Sequence, residues 1–240
     1  MNLRNCLLGI FAAGTALSLT ALDQIGRVEA HGDVAPQAVD TAGLPDLGEE
    51  WLAENPWRDP ESEFWALAIK VGASGYNQNC ARCHGLEVIS GGLAPDLRYL
   101  EADDYGDEWY LERYQYGYTQ NGITKMPAFG DLLGQEAAWA IRTYVETRPD
   151  EGALDPHSDR LKAIRDKIKD LAASTSAADA EDTVAPLRVE MSEIADSLET
   201  GSGAPKADSV ASRAVLQLDG SDESLKKTAE ILTIGLSAAQ

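Results

Sequence analysis

Residues 79–89 read NQNCARCHGLE, which places Cys80 and Cys83 three positions apart and His84 directly behind the second sulfur. Residues three and four apart on a helix share a face, so two thiols and an imidazole in this order can present themselves together to one bound group. The separation suits the two vinyl groups of a haem, with the imidazole aimed at the iron from the same side. Cys80-Ala81-Arg82-Cys83-His84 is therefore an attachment signature for a c-type haem. A redox dithiol uses the same Cys-x-x-Cys spacing but needs a strand ahead of it in a βαβ setting, and half of a zinc site needs a second ligand pair. The sequence around the motif offers neither context.

An iron held by His84 takes a sixth ligand or keeps an open face for small-molecule chemistry. The chain has three histidines and three methionines. His31, in the N-terminal region, and His157, at the start of the C-terminal stretch, read as solvated. Met1 opens the chain, and Met191 sits in an ordinary helical seam. Met126, in the loop sequence KMPAFG, remains as the predicted sixth ligand. His/Met ligation fills both axial positions and raises the reduction potential, which fits a one-electron carrier rather than an oxidase. The alternative is a haem protein with a vacant or displaceable distal face, of the peroxidase or oxidase kind.

The elements that must position these residues are helical, and no convincing strand is evident over 59–148. Asp59-Pro60-Glu61 has the chemistry of a helix start, Phe64, Trp65, Leu67, Ala68 and Val71 recur at helical spacing up to Gly72, and this helix ends immediately upstream of the Cys pair. A glycine- and proline-rich loop follows His84, through Gly85, Gly91, Gly92 and Pro95. A second helix is expected from about Asp107 to Gln115, with an aromatic run from Trp109 to Tyr118 whose default role is core packing. A loop from Asn121 to Asp131 carries Met126, and a third helix runs from about Gln135 to Thr147, stopped by Pro149.

Around this core, residues 1–30 read as an export signal: a charged start, an apolar run from Cys6 to Leu22, and small residues before His31. Its removal leaves Cys80 and Cys83 as the only cysteines and a periplasmic chain without stable membrane insertion. Residues 31–58 read as an extended arm, 59–150 as the haem domain, and 151–240 as an acidic Ala/Ser-rich extension without aromatics. Leu161, Ile164, Ile168 and Leu171, then Leu187, Met191, Ile194 and Leu198, form two helical seams. The extension either packs on the domain, pairs with another chain, tethering the domain to a partner, or stays partly disordered. With 40 acidic against 20 basic residues the net charge is −20 and the pI about 4.4. Such a surface argues against nucleic acid and anionic lipid as partners.

The order helix, Cys-x-x-Cys-His, glycine-rich loop, proline, helix, Met-Pro loop, helix resembles the class I cytochromes c. The resemblance implies an all-α class I fold around one covalent haem c, followed by the C-terminal extension. It also implies that the carbonyl of Pro95, in GLAPDL, accepts the ring N–H of His84, and that Gly72 or Gly75 crosses Tyr144 or Trp139. The stretches HGDVAPQAVDT, WLAENPWR, GASGYNQNCARCHGLEVISGGLAPDLRYL and MPAFG are similar to the PedF-type group of cytochromes c-550. That likeness implies a quinoprotein (PQQ-dependent) alcohol dehydrogenase as electron donor and a terminal oxidase or another cytochrome as acceptor. Glu87, Asp96, Glu101, Asp103 and Asp104 are candidates for steering such a partner, or solvated charges.

Overall fold

A computed structural model describes residues 36–174 and 180–238; the export signal and His31 lie outside the described residues. Residues from Pro36 onward form one compact unit. Helix α1 runs Trp65–Asn79, the single turn α2 is Ala81–His84, and α3 is Asp104–Tyr116. The strands β1, Tyr118–Gln120, and β2, Ile123–Met126, pair antiparallel before α4, Gly130–Glu146. Helices α5, Ser158–Ala173, α6, Ala180–Asp196, α7, Val210–Gln217, and α8, Asp222–Ala238, complete the chain.

The crossing of α1 and α4 organises the first part. Ala68, Gly72, Gly75 and Tyr76 fall on one face of α1 and are buried, while α4 is buried almost all round from Gln135 to Glu146. Glycine at 72 lets the backbones touch: a Cβ there would collide with the carbonyl oxygen of Ala140 and lie 2.9 Å from Tyr144 Cβ. Gly75 meets Ile141 and Val39. Trp139 belongs to a second cluster with Trp57, Ala68, Val71 and Ala140, over which the arm lays Val39, Leu44 and Leu47.

Two expectations need correction. The first helix begins at Trp65, not Asp59. Asp59 Oδ1 accepts from Glu61 N at 2.9 Å and its carbonyl from Ser62 N at 3.0 Å, closing a turn that does not propagate. The helix carries on through Gly72, which serves a helix crossing, and ends at Asn79, immediately ahead of the Cys pair as expected. Residues 118–126 form a hairpin where no strand was expected. Its turn is Asn121-Gly122, both at positive φ (52° and 76°), as a primed hairpin turn requires. The strands are exposed on nearly every residue, so they lack the apolar alternation that would reveal them.

The extension is folded. Leu161, Ile164, Ile168, Leu187, Met191 and Ile194 meet Val210, Ala214, Leu225 and Leu232 in a core of its own. Both seams face inward, and each aliphatic side chain so buried contributes about 1.5–3 kcal/mol.

A buried ionic group ties arm, α3 and α4 together. Asp107 accepts from Arg58 Nη2 at 2.7 Å and Arg142 Nε at 2.8 Å, and from the backbone N of Asn55 at 2.9 Å. Asn55 Nδ2 donates to Glu146 Oε1 at 2.8 Å, and Glu146 also pairs with Arg58. Asp107→Ala leaves two largely buried guanidiniums short of a partner, so equilibrium denaturation is expected to show a loss of about 3–5 kcal/mol. A loss under 1 kcal/mol would show that the cluster is dispensable.

Candidate functional site

The motif sits where α1 hands over to α2. Cys80 N donates to Tyr76 O at 2.8 Å, closing α1, and His84 N donates to Cys80 O at 3.0 Å, closing the next turn. Cys80, Cys83 and His84 therefore share one turn, as their spacing requires. Cys80 packs against the apolar cluster of Ile69, Tyr76, Tyr110, Tyr114 and Ile141, while Cys83 is exposed. Burial, with Cys83 adding, pushes the Cys80 thiol up to about 12. Reactive redox thiols are low-pKa and electropositive in setting, so this environment disfavours a catalytic dithiol. Among the described residues, no three His, Cys, Asp or Glu side chains gather as a metal site.

The loop after the motif folds back onto it. Gly85 has φ 85°, and a Cβ there would strike the carbonyl of Ile89, so only glycine fits. Tyr76 Oη donates to the Gly85 carbonyl at 2.8 Å. Ser90 Oγ donates to Ala94 O at 2.5 Å and accepts from Gly92 N at 3.0 Å, setting up Pro95. The Pro95 carbonyl accepts from His84 Nδ1 at 2.9 Å. That bond fixes the tautomer and directs Nε2 away as a ligand atom. Burial lowers the His84 pKa, partly opposed by the Pro95 carbonyl and Asp96, which favours the neutral, ligating imidazole.

Met126 ends β2, opposite Tyr118. Gly117, at φ 69°, turns the chain out of α3 so closely that a Cβ there would lie 2.5 Å from the Met126 carbonyl. The hairpin thus delivers Met126 to the same apolar cluster that receives Cys80. The other candidates lie elsewhere. His157 Nε2 faces Ser197 Oγ at 3.4 Å within the extension, and Met191 is in the extension's core. Two thiols on one turn, a tautomer-fixed imidazole, a thioether and the loop's exposed Leu86 and Leu93 (68% and 70%) fit a haem as a residue set.

The acidic candidates divide. Asp96 pairs with Arg98 at 2.7 Å, and Glu87 is held by Arg148 at 3.0 Å and Arg213 at 2.9 Å, so neither is a solvated charge. Asp103 caps α3, accepting from Gly106 N at 2.9 Å. Glu101 and Asp104 are exposed. In the aromatic run, Tyr110 and Tyr114 are core, while Tyr116 is 77% exposed. The links from Glu87 to Arg148 and Arg213 escape sequence reading, because partners 61 and 126 positions away leave no periodic signal.

Burial pushes the Glu87 carboxyl up, and the Arg213 and Arg148 guanidiniums outweigh it, so its pKa lies below the usual value. A depressed folded-state pKa stabilises above the unfolded value, about 4.3, and is lost as pH falls through the lower folded one. Amides of 200–217 should therefore exchange faster below about pH 4, ahead of those in α1. Simultaneous loss in both regions would remove Glu87 as the acid-sensitive link.

Among the described residues, no helix is long and apolar enough to cross a membrane. Residues 67–145 match the family model described as cytochrome C oxidase, cbb3-type, subunit III. The chain is 53% identical over 148 residues to cytochrome c550 of Pseudomonas aeruginosa, covering 61% of this chain and 97% of that protein. It is 34% identical over 91 residues to the quinohemoprotein alcohol dehydrogenase ADH IIB of Pseudomonas putida, covering 37% of this chain and 12% of that protein. With ADH-IIG of the same organism the identity is 33% over 81 residues, covering 34% of this chain and 11% of that protein. No solved structure matches.

Proposed function

The chain belongs to the cytochrome c family, a class I mono-haem electron carrier with covalently bound haem c rather than an enzyme, and from this premise we propose where its haem is held and whom it serves. Cys80 and Cys83 form the thioether links, His84 Nε2 is the proximal ligand, Met126 Sδ the distal one, and Pro95 orients the imidazole. The arrangement that carries this assignment is the His84 Nδ1–Pro95 hydrogen bond beside two thiols on one turn. When bound, the haem supplies a one-electron Fe(III)/Fe(II) couple.

Exported by residues 1–30, the protein works in the periplasm as acceptor for a PQQ-dependent alcohol dehydrogenase and passes electrons to a terminal oxidase or another cytochrome. The likeness to stretches of two quinohemoprotein alcohol dehydrogenases supports this partner class. An alcohol yields two electrons, so two carrier molecules are reduced per turnover. Exposed Glu101 and Asp104 contribute to steering, since transient redox encounters depend on long-range charge. The partner-tethering alternative loses its main support, because both seams of the extension are buried in its own core.

Mixing the oxidised holoprotein with a quinoprotein alcohol dehydrogenase and its alcohol, and following haem reduction, tests the proposal. Reduction should be fast at low salt and slow several-fold between about 10 and 150 mM ionic strength, as the screening length shrinks from roughly 30 to 8 Å. Reduction independent of salt would remove the steering role, and no reduction would remove the dehydrogenase as donor.

A further inference from the structure

We propose that the C-terminal extension is an intramolecular clamp on the haem loop, in which Arg213 is a positioning residue that holds, through Glu87, the turn between His84 and Pro95. This inference rests on the assignment of His84 and Pro95 above.

The turn is strained. Glu87 and Val88 have φ of 52° and 65°, in the left-handed region, although neither is glycine. Val88 is β-branched and fully buried, the kind of residue for which this conformation is a genuine outlier. Such residues are costly and persist only where their surroundings over-determine them.

The surroundings come from two places. On the near side, Tyr76 holds the Gly85 carbonyl. On the far side, the Glu87 carboxylate is gripped by Arg148 Nη1 at 3.0 Å and Arg213 Nη2 at 2.9 Å. Arg148 is 1% exposed. Its Nε donates to Tyr144 O at 3.0 Å, its guanidinium lies 4.1 Å from the Tyr144 ring centroid, and its Nη2 pairs with Asp208. Asp208 also faces Arg213 Nε at 3.5 Å. Two carboxylates and two guanidiniums thus form one balanced cluster: Glu87 and Arg148 come from the haem domain, Asp208 and Arg213 from the extension.

Backbone contacts brace the cluster. Asp208 N donates to Thr147 O at 2.8 Å, Asp150 N to Glu199 O at 3.0 Å and Ala102 N to Ser202 O at 3.0 Å. Ser202 Oγ donates to Glu146 O at 2.6 Å. The matched family model spans residues 67–145, so Arg148, Asp208 and Arg213 lie outside the matched stretch. Removing Asp208 alone would leave Arg148, 1% exposed, with Glu87 as its remaining carboxylate partner, which is destabilising.

The test uses the full-length holoprotein in its reduced, diamagnetic state. Arg213→Gln should speed hydrogen exchange at the amides of 86–90 about tenfold, as expected for a local opening eased by one partly buried ion pair, while amides of α8 keep their protection. Glu87→Gln, which loses the Arg148 pair as well, should speed it at least as much, and the double variant should add nothing beyond Glu87→Gln, because Arg213 acts on the loop through Glu87. Arg213→Lys should restore most of the protection. The reduction potential supplies a second readout. A loosened loop admits water and favours the more charged oxidised iron, so both single variants should lower the potential. A purely electrostatic role would instead move it down for Arg213→Gln and up for Glu87→Gln, with loop exchange unchanged, and that result overturns the clamp. A wild-type protein without thioether-bound haem would speak against the ligand assignment instead, which keeps the two failures distinguishable.

Discussion

Met126→Ala is expected to yield a protein that keeps its haem, through Cys80 and Cys83, yet binds carbon monoxide in the reduced state at neutral pH. The thioether links do not depend on the distal ligand, whereas the sixth position does. Met126 is the methionine that the hairpin brings against the cluster holding Cys80. A thioether is a soft ligand that favours ferrous iron, so its loss should also lower the reduction potential by an appreciable part of the ~0.8 V range over which axial ligands act. Spectroelectrochemistry and a carbon monoxide titration measure both effects. Carbon monoxide binding by the wild type, equal to that of the variant, would mean that Met126 does not ligate and would restore the open-face haem protein as the better reading.

Gly72→Ala should be strongly damaging, although it adds only one methyl group. The new Cβ would collide with the Ala140 carbonyl oxygen and lie 2.5 Å from its carbon, and both are backbone atoms of a helix buried on nearly every side. Alanine gains about 1 kcal/mol of helix propensity over glycine, but that gain is small against forcing two helices apart. Overpacking costs about 1–3 kcal/mol where side chains can yield and more where they cannot, so we expect a net loss of about 3 kcal/mol or more. Separation of α1 from α4 would also displace Tyr76, which holds Gly85, so haem incorporation should fall with stability. Gly91→Ala is the control: nothing lies within 4 Å of a Cβ at that position. Thermal denaturation of both variants decides the matter, and equal melting temperatures would show that the crossing is loose.

Several features were legible in the chain because their causes are local. Cys80, Cys83 and His84 share a turn because 3.6 residues make one. Gly134, just before the third helix expected from about Gln135, marks a real break, with φ 77° and ψ 176°, whereas α3 starts at Asp104, ahead of the expected Asp107. Asp59 misled because a capping side chain can close a turn without a helix behind it. The hairpin at 118–126 was written as Asn121-Gly122, but its exposed strands carry no apolar alternation to support that signal.

By itself, the sequence determined the chemistry: two sulfurs and an imidazole on one turn, a proline and a methionine downstream, and helices to carry them. These follow from spacing along the backbone, which folding does not alter. Tertiary structure alone decided that the acidic Ala/Ser-rich extension folds around its own core, and that Glu87 is a partly buried partner of Arg148 and Arg213 rather than a solvated charge. Ion pairing depends on distance in space and on exclusion of water, and neither is encoded in the order of residues near the site.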